Sequence, residues 1–235
     1  MLSISEIGPI KRVLIKISGE SLALDFLNAN RVCNNVKNLL KEGIAVSIVI
    51  GGGNIVRGRS LNKFQRETVD SMGMLATAIN GLALQDEFRK IGVDSVVLSQ
   101  ITLPFGIENS NPFNIQKHIE NNTVIIFVGG AGISYFSTDT IAVINAIITR
   151  SDVLLKATKT DGIYDKDPAK FPEATHIKQI SHSEAIEKNL QIMDHAAFSI
   201  AMEHNLPIVI FSVNEENCFV NGINGTIKRS LVCNF

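Results

Sequence analysis

Val49-Ile50-Gly51-Gly52-Gly53-Asn54-Ile55-Val56-Arg57-Gly58-Arg59 runs an apolar strand end into three glycines and then two arginines. Without side chains, glycines let backbone N–H groups close on an anion, and a guanidinium supplies a planar cation to clamp it. A tight strand-to-helix turn accounts for one or two of the glycines; three followed by Asn54 and Arg57 exceed what a turn requires. Similar chemistry recurs in Lys16-Ile17-Ser18-Gly19-Glu20, in Gly129-Gly130-Ala131-Gly132 leading to Asp139, and in Lys156-Ala157-Thr158-Lys159-Thr160-Asp161-Gly162.

Apolar β-branched runs at 13–17, 45–50, 95–98, 123–128, 152–155 and 207–212 read as strands. Helical patterns alternate with them at 31–41, 70–90, 114–120, 139–149, 183–189 and 195–204. The strongest is 70–90, where Met74, Leu75, Ala78, Leu82, Leu84 and Phe88 recur near the helical period. Strands separated by helices imply βαβ units and an α/β fold, a mostly parallel, doubly wound sheet sandwiched by helices. In such sheets ligands bind beyond the strand carboxyl ends, where all four polar segments fall. The irregular stretch 158–179 reads as a loop or short hairpin at the mouth of that site.

The 235 residues suit a single domain, and 45% apolar residues suffice for a sheet covered on both faces. Net charge is −1 with cations scattered, so no basic stripe for nucleic acid is present. Cys33, Cys218 and Cys233 are odd in number and widely spaced, which fits free thiols in a reducing compartment. The apolar run Val13-Leu14-Ile15 is short and flanked by Lys11, Arg12 and Lys16, unlike a secretion signal, and no stretch has the length of a bilayer span. A cytoplasmic location with no membrane contact is expected.

Neither G-x-x-x-x-G-K-[ST] nor a complete G-x-G-x-x-G occurs, so the phosphate site is built differently from a P-loop or dinucleotide fold. A lysine ending a buried strand, as Lys16 does, is costly unless it meets an anion or a carboxylate. Ser137-Thr138-Asp139 reads equally as a helix cap and as a carboxylate placed to orient cations. Tyr164 is placed to stack on a base and Asp167 to accept from a ribose hydroxyl, while Asp165 and Lys166 read as a solvated turn. The five histidines lack metal spacing and read as surface or capping groups; Met72, Met74 and Met193 read as core.

Taken together, Lys16–Glu20, Ile50–Asn54 with Arg57-Gly58, Asp70-Ser71-Met72-Gly73-Met74-Leu75-Ala76-Thr77 and Leu155–Gly162 resemble the bacterial UMP kinases (uridylate kinases) of the amino acid kinase superfamily. Asp167-Pro168-Ala169-Lys170 and Met193-Asp194-His195-Ala196-Ala197 extend the resemblance over essentially the whole chain. The glycine and lysine segments are shared across the superfamily; the segment 70–82 is more particular to the uridylate branch.

The resemblance implies transfer of the ATP γ-phosphoryl group to UMP, with Mg²⁺ carried by ATP and no protein-held metal. Residues 1–150 would then form a phosphate-acceptor lobe and 151–235 an ATP-binding lobe. Lys16, Ile17, Ser18, Gly19, Gly53, Arg57, Thr158, Tyr164 and Asp167 would contact ATP. Gly52, Asp70 and the run Ala131, Gly132, Ile133, Ser134, Tyr135, Phe136, Ser137 and Thr138 would contact UMP. Lys16 and Arg57 would balance charge on the transferring group with Lys156 as a further cation, and Asp139 would hold the cations in place. The family forms homohexamers, commonly activated by GTP and inhibited by UTP. Two departures stand out: residues 21–30 are short and lack the usual glycines, and Ala131, Ile133 and Ser134 replace the common Thr, Asn and Pro. The alternatives are a superfamily kinase acting on acetylglutamate or carbamate, which would not be expected to carry the 70–82 segment, and a non-catalytic nucleotide-binding subunit.

Overall fold

The computed structural model of the chain describes residues 3–4, 7–23, 25–56 and 63–234. A short antiparallel ribbon, β1 (Ser3–Ile4) with β2 (Gly8–Pro9), precedes the first long strand, β3 (Arg12–Ile17). There follow α1 (Ala29–Lys41), β4 (Ala45–Ile50), α2 (Arg66–Lys90), β5 (Ser95–Ser99), β6 (Glu108–Asn109), α3 (Pro112–Glu120), β7 (Val124–Val128) and α4 (Thr138–Ile148). The second half continues with β8 (Val153–Thr158), the strands β9 (Ile163–Tyr164) and β10 (His176–Ile177), and β11 (Gln179–Ile180). It closes with α5 (His182–Glu187), α6 (His195–Glu203), β12 (Ile208–Ser212), α7 (Cys218–Asn224) and β13 (Arg229–Val232).

Among the described residues, nine strands form one sheet in the order β11-β13-β12-β8-β3-β4-β7-β5-β6. Every neighbouring pair is parallel except β12 with β13. The mostly parallel, helix-sandwiched sheet anticipated from the alternating pattern is therefore present. Side chains alternate between two cores: Val13, Ile15 and Ile17 join the layer containing α1, α2 and α7, while Leu14 joins the layer containing α4 and α6. By the same alternation Lys16 and Lys156 point to the α4 side. The chain fills the sheet on one side of β3 first and returns to β8 on the other, so the topological switch point lies between β3 and β8.

The six anticipated strands are joined in this sheet by β6, β11 and β13. β6 and β11 are two residues long, and α7 lies between Asn217 and Gly225, both in the left-handed region, with no apolar periodicity of helical length to announce it. The irregular stretch beyond β8 contains the antiparallel pair β9–β10, registering Tyr164 with His176. Two histidines depart from the surface reading. His182 is wholly buried between Leu206 O and Asn234 Oδ1, fastening α5 to the C-terminal strand region, and His118 is buried against Glu108. The three cysteines are free and buried. Among the described residues no helix is long and apolar enough to cross a membrane.

Candidate active site at the strand carboxyl ends

Lys16 and Lys156 are registered partners on the adjacent parallel strands β3 and β8, so their side chains leave the sheet together. Two ammonium groups this close repel unless an anion stands between them. Asp139, in the first turn of α4, supplies it: Lys156 Nζ donates to Oδ2 at 2.7 Å, and Lys16 Nζ lies 2.9 Å from Oδ1. The Lys16 contact is an ion pair without hydrogen-bond alignment. The carboxylate also gains from the α4 N-terminus. Burial alone would raise the Asp139 carboxyl, but the two ammonium groups outweigh it and hold it below its ordinary range. Burial pushes the Lys156 ammonium down to about 8; Asp139 opposes that fall and Lys16 adds to it. Lys156 also donates to the carbonyl of Ile192, in the segment between α5 and α6. That segment ends at Asp194, which caps α6 through Ala197 N at 3.0 Å and accepts from Thr140 Oγ1 at 2.8 Å and from Ser137 Oγ. The amino ends of α4 and α6 are thereby locked together beneath the lysines.

The turns after β3 and β4 interlock. Gly51 N donates to Ile17 O at 2.9 Å, and a Cβ at Gly19 would stand 2.6 Å from Gly51 O, Gly53 N and Asn54 Oδ1. Only glycine permits this approach. Gly52 is equally confined, since a Cβ there would meet Gly73 O at 2.7 Å on α2.

Beside these turns opens a cavity of about 280 Å³ between α2 and the loop before α4. Gly52, Gly53, Asp70, Ala131, Ile133, Phe136, Ser137 and Thr138 line it, as do Val56, Arg66, Val69, Gly73, Met74, Thr77 and Gly130. Asp70 accepts from Arg66 Nε at 3.0 Å and from Tyr135 N at 2.8 Å. Tyr135 has a φ of +73°, donates its hydroxyl to Glu67 and carries the Arg66 guanidinium over its ring at 5.4 Å. The loop is thus strapped to the first turns of α2.

Beyond β8, Thr158 Oγ1 donates to Thr160 O at 2.7 Å and accepts from Thr160 N at 3.0 Å. Tyr164 donates to Asp161 at 2.7 Å, accepts from Lys228 Nζ at 2.7 Å and meets His176 edge to face. Asp167 caps a turn through Ala169 N at 3.0 Å. Among the described residues no three His, Cys, Asp or Glu side chains converge as metal ligands, and Asp139 faces an ammonium on each oxygen.

The model of the Amino acid kinase family matches residues 11–212, which takes in both lysine strands, the glycine turns and Asp139. The chain belongs to the amino acid kinase family. Within the family it is 41% identical over 230 residues to the uridylate kinase of Brucella abortus biovar 1 (strain 9-941), covering 94% of this chain and 96% of that one. The uridylate kinase of Brucella suis biovar 1 (strain 1330) matches to the same extent. A crystal structure of UMP kinase from Ureaplasma parvum superposes with a TM-score of 0.91 at 35% identity, covering 97% of this chain and all of that one. UMP kinase from Bacillus anthracis gives 0.90 at 31% identity over 96% and 97% of the two chains. The resemblance seen in the sequence is borne out.

For this family member, the structure brings Lys16, Lys156 and Asp139 into contact and gathers Gly52, Gly53, Asp70 and much of the 131–138 run around one cavity. Gly132, Ser134 and Tyr135 are not part of its wall; Gly132 packs toward Gln100, and Tyr135 straps the loop from outside. Arg57 lies outside the described residues. Met74, read as core, lines the cavity instead, because Gly73 and Gly130 beside it leave no side chains to cover it. Arg66 and Thr77 also line the cavity; the sequence marks Thr77 only as part of the 70–82 segment and Arg66 not at all. Arg66 stands one helical turn before Asp70, and that i, i+4 pairing was the available signal.

Proposed function

We propose that this chain is a UMP kinase, transferring the γ-phosphoryl group of ATP to UMP to give UDP and ADP. The observation that carries the reading is the registered lysine pair at the switch point, set on Asp139, whose chain neighbour Thr138 lines a cavity together with Asp70, Gly73, Met74 and Thr77. The uridylate and UMP kinase relatives supply the substrate assignment.

Phosphoryl transfer asks little covalent help, so positioning and charge neutralisation provide most of the rate. Lys16 and Lys156 are the catalytic cations with Arg57, and Asp139 aims them. The UMP phosphate is already an anion and needs no general base. Lys16 through Gly19, with Gly53 and Arg57, hold the ATP phosphates; Thr158, Tyr164 and Asp167 hold the adenosine end. Gly52, Asp70, Ala131, Ile133, Phe136, Ser137 and Thr138 hold UMP. Residues 1–150 are the acceptor lobe, which also reaches the ATP phosphates through its first two strand ends, and 151–235 are the ATP lobe that holds the adenosine end. Mg²⁺ enters as part of the MgATP substrate, which agrees with Asp139 being committed to two ammonium groups.

In its cellular setting we place the enzyme in the cytoplasm as a homohexamer that responds to GTP and UTP, as the family resemblance implies. The α2 helix supports assembly: Leu75 and Ile79 lie one turn apart and are 50% and 48% exposed, an apolar stripe that a partner subunit would cover. The test is ADP release from MgATP with UMP, CMP and acetylglutamate. Turnover on UMP supports the reading; turnover on acetylglutamate alone, or none on any acceptor, overturns it.

A further inference from the structure

Helix α2 sends two polar side chains inward one turn apart, and each ends on the backbone of a different glycine loop. Thr77 Oγ1 donates to Met74 O at 2.6 Å within the helix and accepts the N–H of Gly129 at 2.8 Å, across 52 residues of sequence. Asn80, wholly buried, donates from Nδ2 to Gly51 O at 2.6 Å and to Asn54 Oδ1 at 2.8 Å. Its Oδ1 accepts from Asn54 Nδ2 at 3.0 Å, and that same amide donates to Ala23 O at 3.1 Å. Both amides are thus fully used.

A buried amide is costly unless every polar atom is paired, so an apolar residue would serve packing better at this position. What Asn80 and Thr77 add is specific. Gly51 O and Gly129 N are backbone groups at the points where their loops leave the sheet, and α2 supplies their partners. The helix stands close enough to do so because Gly81 follows Asn80; a Cβ there would fall 2.5 Å from Val128 Cγ1. Asn54 Oδ1 in turn abuts Gly19, so the Asn80 tie reaches the turns after both β3 and β4. The Thr77 tie reaches the loop after β7.

We propose that Thr77 and Asn80 are positioning residues that reference the two sides of the reaction to one rigid helix. Asn80, through Asn54, sets the turns at Ser18–Gly19 and 51–53, in which Gly19 and Gly53 hold the phosphoryl donor while Gly52 faces the acceptor cavity. Thr77, through Gly129, sets the 129–138 loop that holds the acceptor. Thr77 contributes to the cavity wall, but its hydroxyl is spent on Met74 and Gly129. The roles of donor and acceptor rest on the proposed UMP kinase reading.

The test is a crossed comparison on the full chain. Thr77→Val is expected to raise KM for UMP about tenfold with KM for ATP within about twofold, since the 129–138 loop serves UMP alone; Asn80→Ala is expected to raise KM for ATP about tenfold and KM for UMP by a smaller factor, because Gly52 of the same turn faces UMP. Thr77→Ser, which keeps the hydroxyl, is expected to restore the wild-type value. If Asn80→Ala does not fold, Asn54→Ser severs the same tie from the loop side. Equal shifts in both KM values, or none, overturn the proposal. Amide hydrogen exchange on the same variants gives a readout independent of turnover. Thr77→Val is expected to deprotect 129–132 alone, and Asn80→Ala 51–54 and 18–23 alone. If the wild type turns over no UMP, the functional reading fails, and the exchange pattern still decides the ties; deprotection of both loops by either variant, or of neither, rejects them.

Discussion

Lys156 Nζ stands 2.7 Å from Asp139 Oδ2 with only 6% of the lysine side chain exposed, on a strand whose neighbour places Lys16 on the other carboxylate oxygen. An ammonium this buried keeps its proton only because the carboxylate is there. With Lys156 lowered to about 8, the charged form needed to neutralise the transferring phosphoryl group is lost as pH rises through that value. We expect kcat to fall on an alkaline limb near pH 8. In Asp139→Asn, which removes the largest upward influence on Lys156, the limb should move to lower pH and the plateau should drop by about 100-fold or more. An unmoved limb would refute the assignment.

The stability effect of the same group runs in the opposite direction. Its folded value lies below the ordinary 10.5, so between about 8 and 10.5 the unfolded chain holds a proton the folded chain has released. Stability contributed by Lys156 therefore rises with pH across that window. Loss of activity above pH 8 should accordingly come without a fall in Tm attributable to this residue. Thermal melts of wild type and Lys156→Met across pH 7–10 would check it: the variant should lack the rising component.

Gly19 sits where two turns meet, and three atoms lie 2.6 Å from the position a Cβ would take. Two of those atoms are backbone and cannot swing aside. Gly19→Ala should force the turns after β3 and β4 apart, raising KM for ATP about tenfold or more and costing about 1–3 kcal/mol of stability by overpacking. Gly43→Ala makes a useful contrast. Nothing lies within 4 Å of its Cβ position, although its φ of +78° adds local strain, so it should lose some stability and no ATP affinity.

The parts of this molecule that were legible in its sequence are those set by local chemistry. Apolar β-branched runs marked the six central strands, and glycines after Lys16, before Asn54 and in the loop leading to Asp139 marked the strand ends that form the candidate site. What stayed hidden was set by distance in sequence. β13 pairs antiparallel with β12, and β6 and β11 are two-residue strands that exist only because a neighbour's edge is present. Thr77 and Asn80 belong to the 70–82 segment that carries the family resemblance, but their roles as ties are not legible there, because their partners lie 52 and 29 residues away. Tyr135 read as part of a binding loop; its left-handed backbone turns it outward to Glu67 instead.

The strap between Tyr135 and the first turns of α2 makes its own prediction. Asp70 receives both Tyr135 N and Arg66 Nε, so its carboxylate is aimed before any substrate arrives. Asp70→Ala removes the cavity carboxylate together with the anchor of the loop. KM for UMP should rise about 100-fold, KM for ATP little. Tyr135→Phe loses only the exposed bond to Glu67 and should raise KM for UMP by no more than about threefold. Equal effects of the two variants would show that Asp70 acts only through the strap and does not touch UMP.

Ser230 offers the clearest stability test away from the charged centre. Wholly buried on β13, its hydroxyl accepts Ile163 N at 2.7 Å and donates to Ile177 O at 2.5 Å, so one oxygen fastens both strands of the β9–β10 pair to the sheet. Ser230→Ala leaves a buried N–H and a partly buried carbonyl unpaired, which should cost about 1–3 kcal/mol. In a chain of this size each kcal/mol lowers Tm by about 2–4 °C. The same pair of strands carries Tyr164 and leads into the turn at Asp167, so loosening it should weaken ATP while leaving UMP untouched. A drop in Tm with both KM values unchanged would separate the two roles, keeping Ser230 as a structural tie and removing the β9–β10 pair from the ATP site.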